Sequence, residues 1–274
     1  MEFEEFLKEA AHLLGLQWRP FMRKGIKRRV ERRMAEIGLL SLDEYLSRIA
    51  SIVDERDNLS GILTVTISRF FRDRNVFDAL ATSVIPALLR RGEEELRIWS
   101  VGCASGEEPY SLYLLWHEKF ERAWPGVRLS VLATDVDPGM LKRAEEGRYR
   151  VSSLKEVPRE ISENHFRSEA GLCVLDQAVR DRVTFQRHDV LREDPFSGLD
   201  LVLCRNLAFT YFSGETQVDV LKKIAGSLRE EGYLVIGKDE VLPFTYPTLF
   251  TPLFPSAKIY QKFSPKLFRV PNHL

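Results

Sequence analysis

The chain has 274 residues, of which 44% are hydrophobic and 29% are charged, and its formal net charge is zero. This length allows one large domain or two modest ones, and the composition is that of an ordinary globular protein. A balanced charge excludes any global electrostatic attraction to nucleic acid or to an anionic membrane surface.

The cysteines and the apolar runs indicate the cell compartment of the protein. Cys103, Cys173 and Cys204 form no CxxC pair and no metal-ligand spacing, which fits a reducing cytosol, and we predict no metal site. No apolar run approaches the roughly 18 residues that span a bilayer, and the acidic N-terminal stretch does not resemble a signal peptide. We predict a cytoplasmic protein without membrane insertion and without a nucleic-acid partner.

The first 70 or so residues have helical patterns only. Apolar residues recur at helical spacing from Phe3 to Leu14 and from Met22 to Ile37, and Gly38 ends the second stripe. Ser41, with Glu44 three residues later, has the capping-box pattern of a helix start. We therefore predict a small helical N-terminal module, joined to the rest of the chain by a segment near residues 65–92.

From about Arg97 onward, short apolar runs alternate with helical patterns. Such alternation predicts an α/β fold, a parallel sheet with helices on both faces. The predicted strands are 96–101, 129–135, 182–189, 199–206 and 232–237, with a further one near 258–265. The predicted helices are 107–122, 137–146 and 214–230.

Polar or acidic residues follow four of these strands, at what would be the ligand-binding edge of the sheet. The turn after the first strand, GCASGEEP, matches neither GxGxxG nor a P-loop, so a phosphate cradle is not indicated. Glu107 and Glu108 beside this turn favour a ligand with positive charge, such as S-adenosylmethionine; simple stabilisation of a helix start is the alternative. Asp135, at the end of the second strand, is placed to accept both hydroxyls of a ribose, and a solvated loop aspartate is its alternative.

The segments TVTISRFFRD, SVGCASGEEPYSL, ATDVDPGMLKRAEEGRYR and DLVLCRN, in this order and spacing, resemble the CheR family of chemotaxis-receptor methyltransferases. The resemblance covers nearly the whole chain. It implies an all-helical N-terminal domain, residues 1–72, and a Rossmann-like methyltransferase domain, residues 73–274. It also implies transfer of a methyl group from S-adenosylmethionine to receptor glutamates, which yields methyl esters and S-adenosylhomocysteine.

The resemblance further implies roles for individual residues at the cofactor. Thr66, Ser68 and Arg72, on the joining segment, line the cofactor pocket. Glu107 faces the amino-acid or sulfonium end of the cofactor, and Asp135 holds the ribose. The other implied cofactor contacts are Gly102 in the glycine turn, Asp189 and Val190 beside the adenine, and Asn206 and Leu207 beside the methionine portion.

Two residues are assigned to catalysis. Arg72 would orient the acceptor carboxylate by a bidentate contact, with an interdomain salt bridge as the alternative. Tyr211 would donate a hydrogen bond at the mouth of the pocket, with a buried aromatic as the alternative. No general base is needed, because a glutamate with a pKa of about 4.3 is already ionised at neutral pH.

The chain departs from the family pattern mainly on the acceptor side. The segment after CRN, NLAFTYF, is one residue longer than usual, which leaves open whether Thr210 or Tyr211 replaces the family tyrosine. GKDE stands where GHSE is usual, and we expect Lys238 and Asp239 at the substrate mouth. Residues 165–183 lack the glycine-rich loop with which some members bind a receptor's C-terminal peptide, so we expect no such tether.

A basic stripe lies on the predicted helix 21–34, where Lys24, Lys27, Arg28 and Arg32 recur at helical spacing opposite apolar residues. An ordinary solvated face is one interpretation. A docking surface for an acidic helical-bundle receptor, or for another protein acceptor, is the interpretation that the resemblance favours.

Three functions stay open from the sequence. The first is a protein-glutamate O-methyltransferase. The second is a methyltransferase of the same fold that acts on a different protein or a small molecule, for which His188 is the nearest candidate base. The third is a cofactor-binding regulatory module without turnover.

Overall fold

The computed structural model describes residues 1–18, 25–63 and 68–263 of the chain. Ten strands lie in these ranges and form one sheet of seven strands and one of three. They are β1 (Glu95–Val101), β2 (Arg128–Asp135), β3 (Arg148–Arg150), β4 (Phe166–Glu169), β5 (Leu172–Leu175), β6 (Val183–Arg187), β7 (Leu199–Cys204), β8 (Leu228–Ile236), β9 (Phe250–Phe254) and β10 (Ile259–Lys262).

The seven-stranded sheet has the order β6-β2-β1-β7-β8-β10-β9. Its first five strands are parallel, and β10 is antiparallel to both of its neighbours. All six residues of β7 are buried, as expected for a central parallel strand covered on both faces. The predicted α/β sheet is thereby confirmed, and β1, next to β7, lies where the strand order changes direction.

Helices cover both faces of this sheet. Two of them, α5 and α7, continue into π-helical turns at Leu80–Val84 and His117–Glu121. Within the described residues the α-helices are α1 (Phe3–Leu13), α2 (Ile26–Glu36), α3 (Leu42–Ser51), α4 (Val53–Leu63), α5 (Arg74–Ala79), α6 (Ile85–Leu89), α7 (Glu107–Trp116), α8 (Pro138–Glu146), α9 (Arg159–His165), α10 (Gln177–Arg180), α11 (Ala208–Tyr211) and α12 (Gly214–Ser227).

The core lies in two layers, one on each face of the sheet. Successive side chains of a strand point to opposite faces, so Ile98 packs in one layer and Trp99 in the other. Helices α1–α4 bury their apolar residues in the same layer as α12. The predicted domain boundary after residue 72 stays a prediction.

Local signals at the N-terminus gave accurate expectations. Ser41 Oγ accepts a hydrogen bond from Glu44 N at 3.2 Å, and the Glu44 carboxylate accepts one from Ser41 N at 3.3 Å, which is the predicted capping box. Ile26, Val30 and Met34 form the buried side of α2, whereas residues 21–24 of the predicted basic helix lie outside the described ranges.

Other expectations differ from the structure. The three-stranded sheet β3-β5-β4 was not predicted, since its strands are only three or four residues long and partly exposed. The predicted helix 214–230 ends at Ser227, because the last three of its residues begin β8. Strand β9 was also missed.

No helix among the described residues is long and apolar enough to cross a membrane.

An ion cluster ties three of the N-terminal helices together. Glu55 of α4 is 3% exposed, and its carboxylate accepts hydrogen bonds from Arg33 of α2 at 2.6 and 2.9 Å. Tyr45 of α3 donates its hydroxyl to the same carboxylate at 2.9 Å. The hydrogen bonds from Arg33 lower the pKa of Glu55 despite its burial. The charged form of Glu55 therefore stabilises the folded state.

We expect Glu55→Gln to lower the free energy of unfolding by about 2 kcal/mol, because it leaves the guanidinium of Arg33 without its carboxylate. Glu36→Gln is the control, since Glu36 also pairs with Arg33 but is half exposed. Urea unfolding measures both. Because the pKa of Glu55 is lowered below its ordinary 4.5 on folding, the difference between wild type and Glu55→Gln should shrink as the pH falls below that value. Equal losses in the two variants would contradict this assignment.

Candidate functional site

Two adjoining cavities lie at the carboxyl ends of β1, β2 and β7, where ligands bind in open parallel sheets. Both are lined by Gly102, Ala104 and Asn206. The larger one has a volume of about 1000 Å³ that includes space open to solvent. Its lining includes the predicted residues Gly102, Asp135, Asp189, Val190, Asn206, Leu207 and Tyr211. The smaller one encloses about 510 Å³, and its lining includes Ser68, Arg69, Arg72, Glu108 and Arg205.

The turn after β1 brings bare backbone to the edge of both cavities. Gly102 has φ +71°, and a Cβ atom there would lie 2.5 Å from Cδ2 of Leu207. The amides of Gly102 and Cys103 both donate to the carbonyl of Thr134, at 2.8 and 2.9 Å. Glycine is required for this left-handed conformation and for the close approach of the Leu207 side chain.

Asp135 shapes the same turn from the end of β2. Its carboxylate accepts hydrogen bonds from the amides of Ala104 at 2.8 Å and Asp137 at 3.0 Å. Burial raises the pKa of Asp135. With one amide on each oxygen, the carboxylate is held in place at the wall of the larger cavity and keeps further lone pairs for the two hydroxyls of a ribose.

The far wall of the larger cavity follows β6. Asp189 accepts a hydrogen bond from Leu191 N at 2.8 Å, and Val190 beside it is buried. Arg192 lies 3.4 Å from Asp189 and 2.6 Å from Asp57 of α4. Helix α4 thus covers part of the cavity and is connected to this wall by an ion pair.

The two glutamates of the GEEP turn have different surroundings. Glu108 lines the smaller cavity, and its carboxylate accepts hydrogen bonds from Ser100 Oγ at 2.8 Å and Arg205 Nη1 at 3.0 Å. Glu107 is 3% exposed and accepts hydrogen bonds from the hydroxyls of Ser105 and Ser68. Burial raises the pKa of Glu107. The predicted contact of Glu107 with the cofactor stays a prediction.

Arg205 lies at one of the four strand ends that the sequence placed at the ligand-binding edge, but no role was assigned to it from the sequence. Its side chain is 3% exposed, and it donates to Glu108, to Asp73 Oδ2 at 2.6 Å and to the carbonyl of Arg72 at 3.0 Å. These contacts attach the joining segment to the sheet beside the smaller cavity. The sequence signal for this position is a charged residue directly after the apolar strand LDLVLC.

Glu240 is a site residue that the sequence reasoning missed. This buried carboxylate accepts hydrogen bonds from Asn206 N at 2.9 Å and Thr210 Oγ1 at 2.7 Å, and also from Gly237 N. Burial raises the pKa of Glu240. Asn206 has φ +58°, a left-handed conformation that this bond to its amide supports. Glu240 therefore shapes the turn that carries Asn206 and Leu207.

The same contacts bear on the open question about Thr210 and Tyr211. The hydroxyl of Thr210 donates to Glu240, which does not suit the role of the family tyrosine. Tyr211 lines the larger cavity and is 4% exposed.

Ser68 and Arg72 line the smaller cavity. Thr66 lies outside the described residues.

Three other expectations concern residues near the acceptor side. His188 lines the larger cavity but is packed against Trp99 and Phe196, and its Nε2 is 3.0 Å from the carbonyl of Asp194. These contacts favour a packing role over that of a base. Lys238 and Asp239 are exposed on the segment that follows β8.

Comparison with known proteins assigns these features to a family. Residues 66–259 match the description "CheR methyltransferase, SAM binding domain". The chain is 33% identical over 227 residues to the chemotaxis protein methyltransferase of Listeria monocytogenes, covering 83% of this chain and 85% of that protein. It is 33% identical over 227 residues to chemotaxis protein methyltransferase 1 of Pseudomonas aeruginosa, covering 79% and 81%.

A third relative is much longer than this chain. It is an uncharacterized 104.1 kDa protein of Rhodobacter capsulatus, 34% identical over 221 residues. The alignment covers 79% of this chain and 23% of that protein.

We expect Asp135→Ala to weaken binding of S-adenosylhomocysteine roughly 30-fold, about 2 kcal/mol, through the loss of two charge-assisted hydrogen bonds. Asp78→Ala is the control, because Asp78 is exposed on α5 and takes no part in either cavity. Titration calorimetry measures both affinities, and the thermal midpoints report whether each variant is folded. Unchanged affinity in Asp135→Ala would place the ribose elsewhere.

Proposed function

Because the chain belongs to the CheR methyltransferase family, it is an S-adenosylmethionine-dependent methyltransferase, and we propose that it forms methyl esters on glutamate side chains of a chemoreceptor-like protein. The observation that carries this proposal is the small cavity beside the large one, because Arg69 and Arg72 line it while the charge of Arg205 there is offset by Glu108 and Asp73. Two arginine side chains next to a nucleoside-sized cleft suit an anionic acceptor.

The cofactor contacts follow from the two cavities. The adenosine part would lie in the larger cavity, with Asp135 holding the ribose and with Asp189 and Val190 beside the adenine. The methionine part extends past Gly102 towards Asn206, where both cavities meet. Ser68 and Leu207 are the other residues proposed at the methionine end, and Glu107 accepts a hydrogen bond from Ser68.

The reaction needs positioning more than proton transfer. Bound S-adenosylmethionine supplies a methyl group on a positively charged sulfur. The chain's part is to hold a glutamate carboxylate in line with that methyl group, and Arg72 is the residue placed to do so. Arg205 is committed to Glu108 and Asp73, so it holds this wall rather than the acceptor. Tyr211, at the larger cavity, is proposed to contact the reacting end of the cofactor.

The acceptor protein is proposed to dock on α2. Lys27, Arg28 and Arg32 are exposed on this helix, opposite its buried apolar side. An acidic helical bundle, the chemistry we propose for the receptor, complements such a face. This acceptor and the cofactor support a cytoplasmic location, which is part of the proposal.

The chemical nature of the product tests the proposal. Purified protein is incubated with methyl-labelled S-adenosylmethionine and fractions of its own cells, and label released as volatile methanol by mild alkali is counted. We expect alkali-labile label in the membrane fraction, since carboxyl methyl esters hydrolyse readily. Alkali-stable label, or label in small molecules only, would support the alternative, a CheR-like methyltransferase with a different acceptor. Binding of S-adenosylhomocysteine without turnover in any fraction would support a regulatory module.

Arg72→Ala should lower turnover roughly 100-fold and change the affinity for S-adenosylhomocysteine little, because it removes an orienting contact to the acceptor alone. Arg72→Lys should recover part of the turnover, since lysine keeps the positive charge but not the bidentate geometry of the guanidinium. Arg74→Ala is the control, because it also removes an arginine, but one that is exposed and lines neither cavity. A selective loss of cofactor affinity in Arg72→Ala would move this residue to the cofactor.

A further inference from the structure

A cluster of two histidines and two glutamates lies far from both cavities. Helix α7 starts at the cavities and rises for ten residues, roughly 15 Å at 1.5 Å per residue. At its far end the chain forms the π-helical turn His117–Glu121. His165, the last residue of α9, lies against this turn, with its ring centroid 5.3 Å from that of His117.

The donor atoms converge in a way that suits a metal ion. One ligand atom each from His117, Glu118 and His165 lies within 4.8 Å of the others. Tetrahedral zinc sites hold nitrogen and oxygen ligands about 2.0–2.2 Å from the ion, so the three atoms are close enough together for one ion to bind among them once the side chains adjust. The two rings stand at 81° to each other, so they approach from different directions.

A fourth residue fixes one of the rings. Glu121 Oε2 lies 2.5 Å from His117 Nδ1. With the proton on Nδ1, Nε2 of that ring carries the lone pair that a metal needs. A carboxylate that orients a metal-binding histidine through its other nitrogen is a recurrent feature of zinc sites.

Partial burial adds to the case. The His165 side chain is 12% exposed and that of Glu118 is 25% exposed, and their Nε2 and Oε1 atoms are 2.6 Å apart. Two imidazoles and a carboxylate form a typical zinc ligand set. We propose that His117, Glu118 and His165 bind a zinc-class divalent ion, with Glu121 orienting His117.

The sequence did not indicate this site. Glu118 and His165 are 47 residues apart, and no short spacing motif joins them. Strand β4 begins directly after His165. A bound ion would therefore join α7, which carries the turn of the cofactor site, to the three-stranded sheet. The proposal is independent of which acceptor the enzyme methylates.

Zinc binding tests the proposal directly. The full chain without a histidine tag is stripped with a chelator, exchanged into chelator-free buffer and titrated with Zn²⁺ by calorimetry, with Mg²⁺ as the reference ion. We expect one Zn²⁺ per chain and a thermal midpoint that rises with Zn²⁺. His117→Ala and His165→Ala should each lose roughly tenfold or more in affinity, and Glu121→Gln less. His12→Ala is the control, since His12 is exposed on α1.

Cobalt identifies the ligands. Co²⁺ in the site should give visible bands of low-coordinate cobalt without a thiolate charge-transfer band, which excludes Cys173 as a ligand. Absence of Zn²⁺ binding, or equal binding in His117→Ala and wild type, would overturn the proposal and leave two histidine–glutamate hydrogen bonds in its place.

Discussion

The guanidinium of Arg205 joins three parts of the chain beside the central strand of the sheet. It pairs with Glu108 on α7 and with Asp73 on the joining segment, and it also donates to the carbonyl of Arg72. A charge this deeply buried is tolerable only with such partners, and removing both carboxylates would leave it uncompensated. The position of Arg72 at the smaller cavity therefore depends on Arg205, whose two Nη atoms bond to the protein and whose buried Nε has no hydrogen-bond partner among the described residues.

Buried carboxylates act in the same way on the turns around the cavities. Asp135 accepts from the amide of Ala104, and Glu240 accepts from the amides of Asn206 and Gly237. Burial raises the pKa of both acids, yet each has backbone donors that satisfy its charged form. The turns that face the ligand are thus supported before it arrives, which lowers the cost of ordering them on binding.

The N-terminal helices complete the larger cavity rather than standing apart from it. Helix α4 contributes Arg56, Asp57, Ser60 and Gly61 to the lining. Its own position depends on the contact of Glu55 with Arg33 and Tyr45. The surface proposed for acceptor docking lies on α2, the helix that also carries Arg33 of this ion cluster. The helix proposed for docking and the helix that lines the larger cavity are therefore joined by one ion pair.

The sequence by itself determined what depends on neighbours in the chain. Apolar periodicity predicted six of the seven strands of the large sheet and six of the twelve described α-helices, and the capping box predicted the start of α3. The motifs around Gly102, Asp135 and Asn206 indicated the family and the cofactor. Only the tertiary structure decided which side chains meet across long separations. It placed Glu108 rather than Glu107 at the smaller cavity, paired Glu240 with the turn of Asn206, and brought His165 to Glu118. No local pattern encodes these contacts, because each arises from the packing of elements that are distant in the chain.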